Sequence, residues 1–494
     1  MVGGLLLPAG VACQQGTART VPRLVLLYAP CSVNANFLSV YNPEVDFTPN
    51  LGRFARKSMV FDRHHTEAGQ SGIAYASMLT GMQADGHGVY RHPVKLQEEV
   101  FLIAEAYADA GYETFAWSAH GMASPLLGYT QGIPAAHTHD AGLSTDDPDF
   151  TAILDRLRSD PTYRAFVFTN FMVTHSPYRD DHLERFLREF GPRGSRVTPK
   201  AKHLALLYNR NHLGLSWNYR ATIERLRLSS GDVAELIGAI EQLYASKVNH
   251  LDRLFGAVVD AVEERGLMDQ SSIVFTADHG ELLYRDNALF KWSHAMQLTA
   301  EAIRVPLIVH SPGMPAGRYE GVTRSIDLLP TMLALSGLAQ PRATQLAGVD
   351  LSQSMVGNVP PPELLAYSHT SILVRGVFGH MHNEKRAQDW EELRKFFPSE
   401  DAGLMWASVR KGDWFYRLRG RAGEDWRVEA FDLARDPGQA EDLFDQSNDD
   451  HTAIARQLAD YRMKLVRSYA ETSDEVLLPG AEEVKALRSL GYIK

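Results

Sequence analysis

The sequence predicts an α/β fold: a large mixed, mostly parallel sheet flanked by helices, followed by a smaller C-terminal subdomain of antiparallel strands and a helix. Three observations predict it. Continuous apolar runs such as "RLVLLYA", "AFVFTNFMV" and "SSIVFTA" are what strands buried on both faces look like. These runs alternate with helix-patterned segments over roughly 300 residues, the rhythm of a parallel sheet with crossover helices. Beyond residue 338, Pro and Gly become frequent and a strand–turn–strand pattern takes over.

In chain order, the first strand is read at 23–29. "TPNLGRFARKSM" (48–59) and "QEEVFLIAEAYADAGYE" (97–113) follow as helical or mixed segments, the second stopped by Gly111. "TFAWSA" (114–119), "AFVFTNFMV" (165–173), "SSIVFTA" (271–277) and "VPLIVHSP" (305–312) are the next strands. The Arg-, His- and aromatic-rich stretch 180–235 breaks the rhythm. It reads either as an insertion over an active-site mouth, suited to an anionic substrate, or as a solvated excursion. "LMWASVRKGDWFYRLRG" and "WRVEAFDLARDPGQ" suggest antiparallel strands, and "HTAIARQLADYRMKLVRSYA" a closing helix. The expected domains are a signal-like or disordered 1–20, a catalytic 21–360 and a C-terminal subdomain 361–494.

With 494 residues, 45% hydrophobic and 22% charged, the chain has the composition of an ordinary globular protein. A formal charge of -10 argues against nucleic acid as partner. Two cysteines, Cys13 and Cys31, cannot make a disulfide framework. "MVGGLLLPAGVACQQG" is apolar up to Cys13 and too short to span a bilayer. It resembles the end of a secretory or lipoprotein signal without a basic start. Export, periplasmic or with a lipid anchor at Cys13, is the expectation, with a cytoplasmic location as the alternative. No other segment reads as transmembrane, and the oligomeric state stays open.

Chemistry collects where strands end, because doubly wound sheets bind ligands beyond their carboxyl edge. "LVLLYAP" runs into Cys31-Ser32, "TFAWSA" into His120, "FTNFMVT" into His175, and "SSIVFTA" into Asp278-His279-Gly280-Glu281. Adjacent Asp278 and His279 offer an oxygen and an imidazole to zinc or another divalent ion, with Gly280 permitting a sharp turn. The alternative is a capped loop with a satisfied histidine. His175 precedes a Ser-Pro turn and His294 lies in the loop "KWSHAMQL". Either can neutralise an oxyanion or protonate a leaving group, or be a turn histidine bonded to backbone. In "TEAGQSGIAYASMLTGMQ" (66–83), Ser71 stands at a helix start, as a cap or as a nucleophile.

These motifs together resemble the sulfatase family of the alkaline phosphatase superfamily. "TPNLGRFA" looks like its TPN-L-x-x-L-A segment, "SGIAYASMLTG" its nucleophile segment with Ser71 at the nucleophile, and "FTADHGE" its SDHGE. "GYETFAWSAH" resembles a strand carrying a Lys and a His, and "SHAMQLTAEAIRVPLIVHSPG" the GHG-x-x-LYEE-x-x-RVPLI-x-x-PG run. "SIDLLPTMLALSGL", "FDLARDPGQAEDL" and "LRSLGYI" resemble D-x-x-PT-x-L-x-x-x-G, YDL-x-x-DP-x-E-x-x-NL and LR-x-LGY. The resemblance implies hydrolysis of sulfate or phosphate-type esters at one divalent ion (zinc, manganese or calcium), acting on a small-molecule or glycan anionic ester.

The departures shape the expected mechanism. The family makes formylglycine within C/S-x-P-x-R, whereas this chain has Ser71-Gly72-Ile73-Ala74-Tyr75, so Ser71 is expected to act as plain serine. That suits phosphate or phosphonate esters better than sulfate esters. The family's strand Lys aligns near Ala119, leaving His120, and Cys31 and Ser32 occupy the places of metal-binding Asp residues. Cys31 as thiolate, with Asp278, His279 and Ser71, would make a zinc-like four-point site that disfavours calcium and magnesium. Otherwise Cys31 is a buried small residue and the metal is lost, or Asn34 and Asn36 contribute oxygens. Ser71 would attack in line, with His175, His294 and His120 acting on the oxygens. The rival reading is a catalytically degenerate pseudoenzyme that binds an anionic ligand or a partner.

Overall fold

The apolar run at 23–29 forms β1 (Leu24–Tyr28), buried at every residue. Such a strand needs hydrogen-bonding neighbours on both edges and apolar side chains against both faces. β5 (Ala165–Phe171) and β6 (Ser271–Phe275) supply the edges, both parallel, with Leu24 opposite Ala165 and Ser271. β3 (Glu113–Ala119) and then β4 (Thr138–His139) extend the sheet past β5. Past β6 come β7 (Ile308–His310), β2 (Met59–His65) and β8 (Gly317–Arg324), completing eight strands. β7 pairs antiparallel with β6 and with β2, while the other pairs are parallel, so β7 alone runs against its sheet. The computed structural model describes residues 20–91, 94–191, 198–288, 290–294, 297–341, 346–371, 405–420 and 426–470. The N-terminal segment with Cys13 and the "LRSLGYI" tail lie outside the described residues.

Alternation along β1 divides the core in two. Leu24, Leu26 and Tyr28 pack with Leu251, Phe255 and Val258 of the long helix Ser230–Glu264. Val25 and Leu27 pack on the other face with Ile73 and Tyr75 of helix Ser71–Thr80 and with Leu328–Leu335. That helix carries Ser71 and is buried at every position, so its N-terminus is fixed against the sheet.

Several elements depart from the sequence reading. β2 and β8 were not anticipated, because Asp62, Arg63 and the Gly317-Arg318 start interrupt any apolar run. The strand expected at 305–312 is confined to 308–310 and runs antiparallel. The 180–235 stretch is helical where described, in Leu183–Phe190, Pro199–Trp217, Tyr219–Leu226 and the start of Ser230–Glu264. Tyr208 and Leu215 from it are fully buried in the core, with Tyr208 6.1 Å from Trp292 between ring centres. The stretch is therefore part of the core and not a wholly solvated excursion. Among the described residues, no helix is long and apolar enough to cross a membrane.

The second sheet is antiparallel, in the order β12 (Arg427–Asp432), β11 (Trp414–Arg419), β10 (Ala407–Lys411), β9 (Ala366–His369). The helix Asp449–Ala470 covers it, with Ile454 and Leu458 against Val409 and Tyr416. The proposed division into 21–360 and 361–494 falls between the two sets of strands. Glu429 on β12 accepts from Arg417 at 2.7 Å and from Arg419 and Arg427. Burial would raise this carboxyl, but Arg419 and Arg417 pull it down to about 2. Glu429→Gln leaves two largely buried guanidiniums without their carboxylate and is expected to cost about 3–5 kcal/mol in urea unfolding. Because the folded pKa lies below the unfolded value, the contribution is complete above the ordinary Glu range. It disappears as pH falls through about 2, and the variant should lack that acid-dependent loss.

Candidate active site at the carboxyl edge of the sheet

The ends of β1, β2, β3, β5 and β6 open onto one edge of the sheet, and the expected residues gather there. Chain order scatters them, and the crossovers bring them together. Cys31 follows β1, with its N–H donating to Phe171 O (2.9 Å) and its carbonyl accepting from Thr174 Oγ1 (2.5 Å). Its Sγ lies 3.6 Å from Ser71 Oγ and 3.6 Å from His279 Nε2. Ser71 Oγ lies 3.2 Å from His279 Nε2. Ser32, in the left-handed region at φ 61°, turns its N–H to Asp278 Oδ1 (3.1 Å). Tyr244 OH donates to Ser32 O and accepts from Asn34 N, both at 2.8 Å, fixing this turn from the long helix.

Ser71 is the first helical residue and not the cap. Gln70 occupies the cap in extended conformation, and its Oε1 accepts from Ser371 N at 3.0 Å. The serine hydroxyl is thereby turned towards His279 and Cys31, at the end of the helix where unpaired N–H groups and the dipole favour an anion. Gly81, at φ 69°, closes the helix in the left-handed region.

Asp278 and His279 follow β6 and are completely buried. Gly280 is not at positive φ. It is needed for space, because a Cβ there would overlap the carbonyl oxygen of Glu301, and Gly280 N donates to Ala302 O at 2.8 Å. His279 Nδ1 faces Gly280 O at 2.8 Å and must donate to it, so Nε2 carries the lone pair directed at Ser71 and Cys31. His175 is held in the same tautomer by Ser176 O. It is thus a backbone-bonded turn histidine and a member of the cluster at once. Its ring meets His294 edge-on at 4.9 Å, and His294 stacks on His279 at 4.3 Å. His294 Nδ1 lies 3.2 Å from both carboxylate oxygens of Glu281.

Burial governs the titration of this cluster. It pushes His279 down, and His175 and His294 down to about 4, while raising Glu281 to about 7. Burial also pushes up the Cys31 thiol, with Asp278 adding to the rise. For Asp278 burial works upward, yet His279, His120 and the Ser71 hydroxyl together hold it below the ordinary carboxylate value. The imidazoles are therefore neutral at pH 7. His175 can donate from Nε2 only after gaining a proton, which a bound anion favours.

His120 follows β3. Its Nδ1 accepts from Met122 N at 3.2 Å, and its ring meets Tyr75 edge-on at 5.6 Å. Tyr75 gives its hydroxyl to Ala29 O (2.7 Å) and brings an uncharged ring beside the site. The side-chain oxygens of Asn34 and Asn36 each accept a hydrogen bond. Asn34 Oδ1 accepts from Asn36 N (2.9 Å), and Asn36 Oδ1 accepts from Arg304 (3.2 Å). Glu281 and Tyr244 were missed as site residues. Glu281 had a signal in its place at the end of the Asp-His-Gly-Glu run, whereas nothing local marks Tyr244 within a 35-residue helix.

One donor group for an ion stands out among the described residues: Cys31, Asp278 and His279 offer ligand atoms within 4.8 Å of one another. Asp278 Oδ2 is buried without a hydrogen-bond partner, as a carboxylate oxygen kept for a cation would be. One sulfur, one carboxylate and one imidazole, with the Ser71 hydroxyl beside them, fit a borderline tetrahedral ion such as zinc. They fit calcium poorly, which takes six to eight oxygens.

Comparison with known proteins agrees with this architecture. A family model described as Sulfatase matches residues 32–338. The multifunctional alkaline phosphatase superfamily protein PehA of Trinickia caryophylli is 28% identical over 375 residues, covering 60% of this chain and 69% of that protein. Choline-sulfatase of Rhizobium meliloti (strain 1021) is 23% identical over 340 residues, covering 59% and 63%. The chain thus spans about two thirds of the length of these two relatives, 69% and 63%. The structure of the phosphonate monoester hydrolase SpPMH from Silicibacter pomeroyi superposes with a TM-score of 0.61 at 20% identity, over 93% of this chain and 96% of that one.

Proposed function

The chain belongs to the sulfatase family of the alkaline phosphatase superfamily, and from that premise we propose that it hydrolyses a small anionic sulfate- or phosphate-type ester with Ser71 as nucleophile. The observation that carries the reading is Ser71 Oγ at a helix N-terminus, 3.2 Å from a histidine lone pair and 3.6 Å from Cys31 Sγ. Cys31, Asp278 and His279 would hold a divalent ion, with Ser71 beside it. When bound, such an ion supplies positive charge that acidifies the serine hydroxyl and polarises the ester.

The chain's own groups account for the rest. The first N–H groups of helix Ser71–Thr80 orient the anionic group over Ser71. Ser71 Oγ, its proton released to solvent, forms a bond to phosphorus or sulfur as the bond to the leaving oxygen breaks. His294 or His175, protonated at Nε2 once the anion is bound, gives that proton to the leaving oxygen. Glu281 holds the His294 ring in place through Nδ1. Water then cleaves the seryl ester and restores the hydroxyl. Plain serine and the Tyr75 ring, at the place of the family's Arg, favour phosphate or phosphonate esters over sulfate esters.

That same Tyr75, with its hydroxyl tied to Ala29 O, favours a second reading in which the chain binds an anionic ligand without turnover. A panel of 4-nitrophenyl sulfate, 4-nitrophenyl phosphate, bis(4-nitrophenyl) phosphate and 4-nitrophenyl phenylphosphonate, each with zinc, manganese or calcium, separates the two. Turnover of a phosphorus ester, highest with zinc or manganese, is expected. A flat panel from protein that retains no divalent ion would refute the hydrolase and leave the binding role.

A further inference from the structure

We infer that a small cavity between β11 and the segment carrying His294 is a site for one monovalent anion of halide type. The cavity has a volume of about 40 Å³ and is lined by donors, including Arg285, Arg417, Arg419, Gln297, Thr299 and Gln439. No carboxylate is among the described residues that line it.

Three of these donors lack an acceptor. Arg419 Nε, Gln439 Nε2 and Thr299 Oγ1 are buried without any hydrogen-bond partner. Thr299 is 3% exposed and Gln439 4%. The Gln439 amide cannot simply be reversed, because its Oε1 already accepts from Ala300 N at 2.8 Å. Each unmet donor in such a place costs free energy comparable to a lost hydrogen bond, and three around one cavity imply an absent acceptor.

The donor lining identifies its class. Arg285 pairs with Glu301, and Arg417 and Arg419 share Glu429, while Asp436 and Asp442 act on Arg285 and Arg417 from farther off. Arg427 also reaches Glu429, from the exposed side. The next carboxylates, Asp436 and Asp442, accept from the backbone N–H groups of Ala440 and Glu441, and of Ala430 and Phe444. A water would bring two hydrogens of its own into a wall of donors. A halide accepts from every side and fits within a cavity of about 40 Å³, where a water takes roughly 10–15 Å³ on this measure.

The site is tested on the full chain with bromide. Crystals soaked in bromide should show an anomalous peak within about 3.5 Å of Arg419 Nε and Gln439 Nε2. In solution at constant ionic strength, replacing gluconate with chloride should raise Tm saturably by roughly 1–3 °C. Gln439→Glu places a carboxylate oxygen in the cavity and should abolish both peak and shift, and Thr299→Val should weaken both. Density that refines only as water, a tetrahedral oxyanion in its place, or a chloride response unchanged in Gln439→Glu would overturn the proposal.

Discussion

Ser71→Ala is expected to lower kcat by at least about 10³-fold on whichever ester the protein turns over, with Tm little changed. The loss is large because the hydroxyl supplies the bond-forming atom. Among the described residues, no second hydroxyl shares both contacts of Ser71 Oγ, 3.2 Å to His279 Nε2 and 3.6 Å to Cys31 Sγ. Stability should hold, since alanine is the best helix former and the helix cap is Gln70. Single-turnover kinetics with mass analysis should also find a phosphoryl or sulfuryl adduct on Ser71 in the parent protein and none in the variant. Retention of more than a tenth of the parent kcat would remove Ser71 from the chemistry. Formylglycine mass at position 71 would replace plain serine with the modified nucleophile.

Cys31→Ala is expected to weaken zinc binding by more than about 100-fold, measured by chelator competition and by metal content after purification. The thiol is buried and pushed above its usual range, so only a cation nearby makes thiolate its favoured form. Removing sulfur takes one of three converging ligands and leaves Asp278 and His279, which hold an ion weakly by themselves. Cys31→Asp should move the preference from zinc towards calcium and magnesium, because a second carboxylate hardens the donor set. Metal content unchanged in Cys31→Ala would show that Cys31 is a packing residue.

Much of this architecture was legible because buried parallel strands are continuous apolar runs, so β1, β3, β5 and β6 announce themselves together with the polar residues that follow them. Convergence at one edge then follows from these strands running parallel. β2 escaped because His64, Arg63 and Asp62 sit inside a strand whose burial comes from neighbours that are distant in sequence. β8 escaped because it is the sheet's outer strand and carries Gly317, Arg318 and Glu320. Within the site, residue identities were readable but ring orientations were not. That His279 and His175 both commit Nδ1 to a following carbonyl depends on local backbone geometry that no motif encodes. Gly280 was singled out for a sharp turn, whereas the crowding that also requires it comes from Glu301, which only folding brings near.

The reversed direction of β7 has a consequence for how this protein could change. β6 and β7 are antiparallel neighbours, so residues 276–307 form the loop of a single oversized hairpin that leaves and re-enters the sheet at the same edge. Asp278, His279, Glu281 and His294 all ride on that loop, anchored at both ends by strand pairing. Lengthening it between those points adds closure entropy only slowly, about 0.6 kcal/mol per doubling. The reactive half of the site is in effect a cassette, exchangeable as one piece while Ser71 and the rest of the sheet stay where they are.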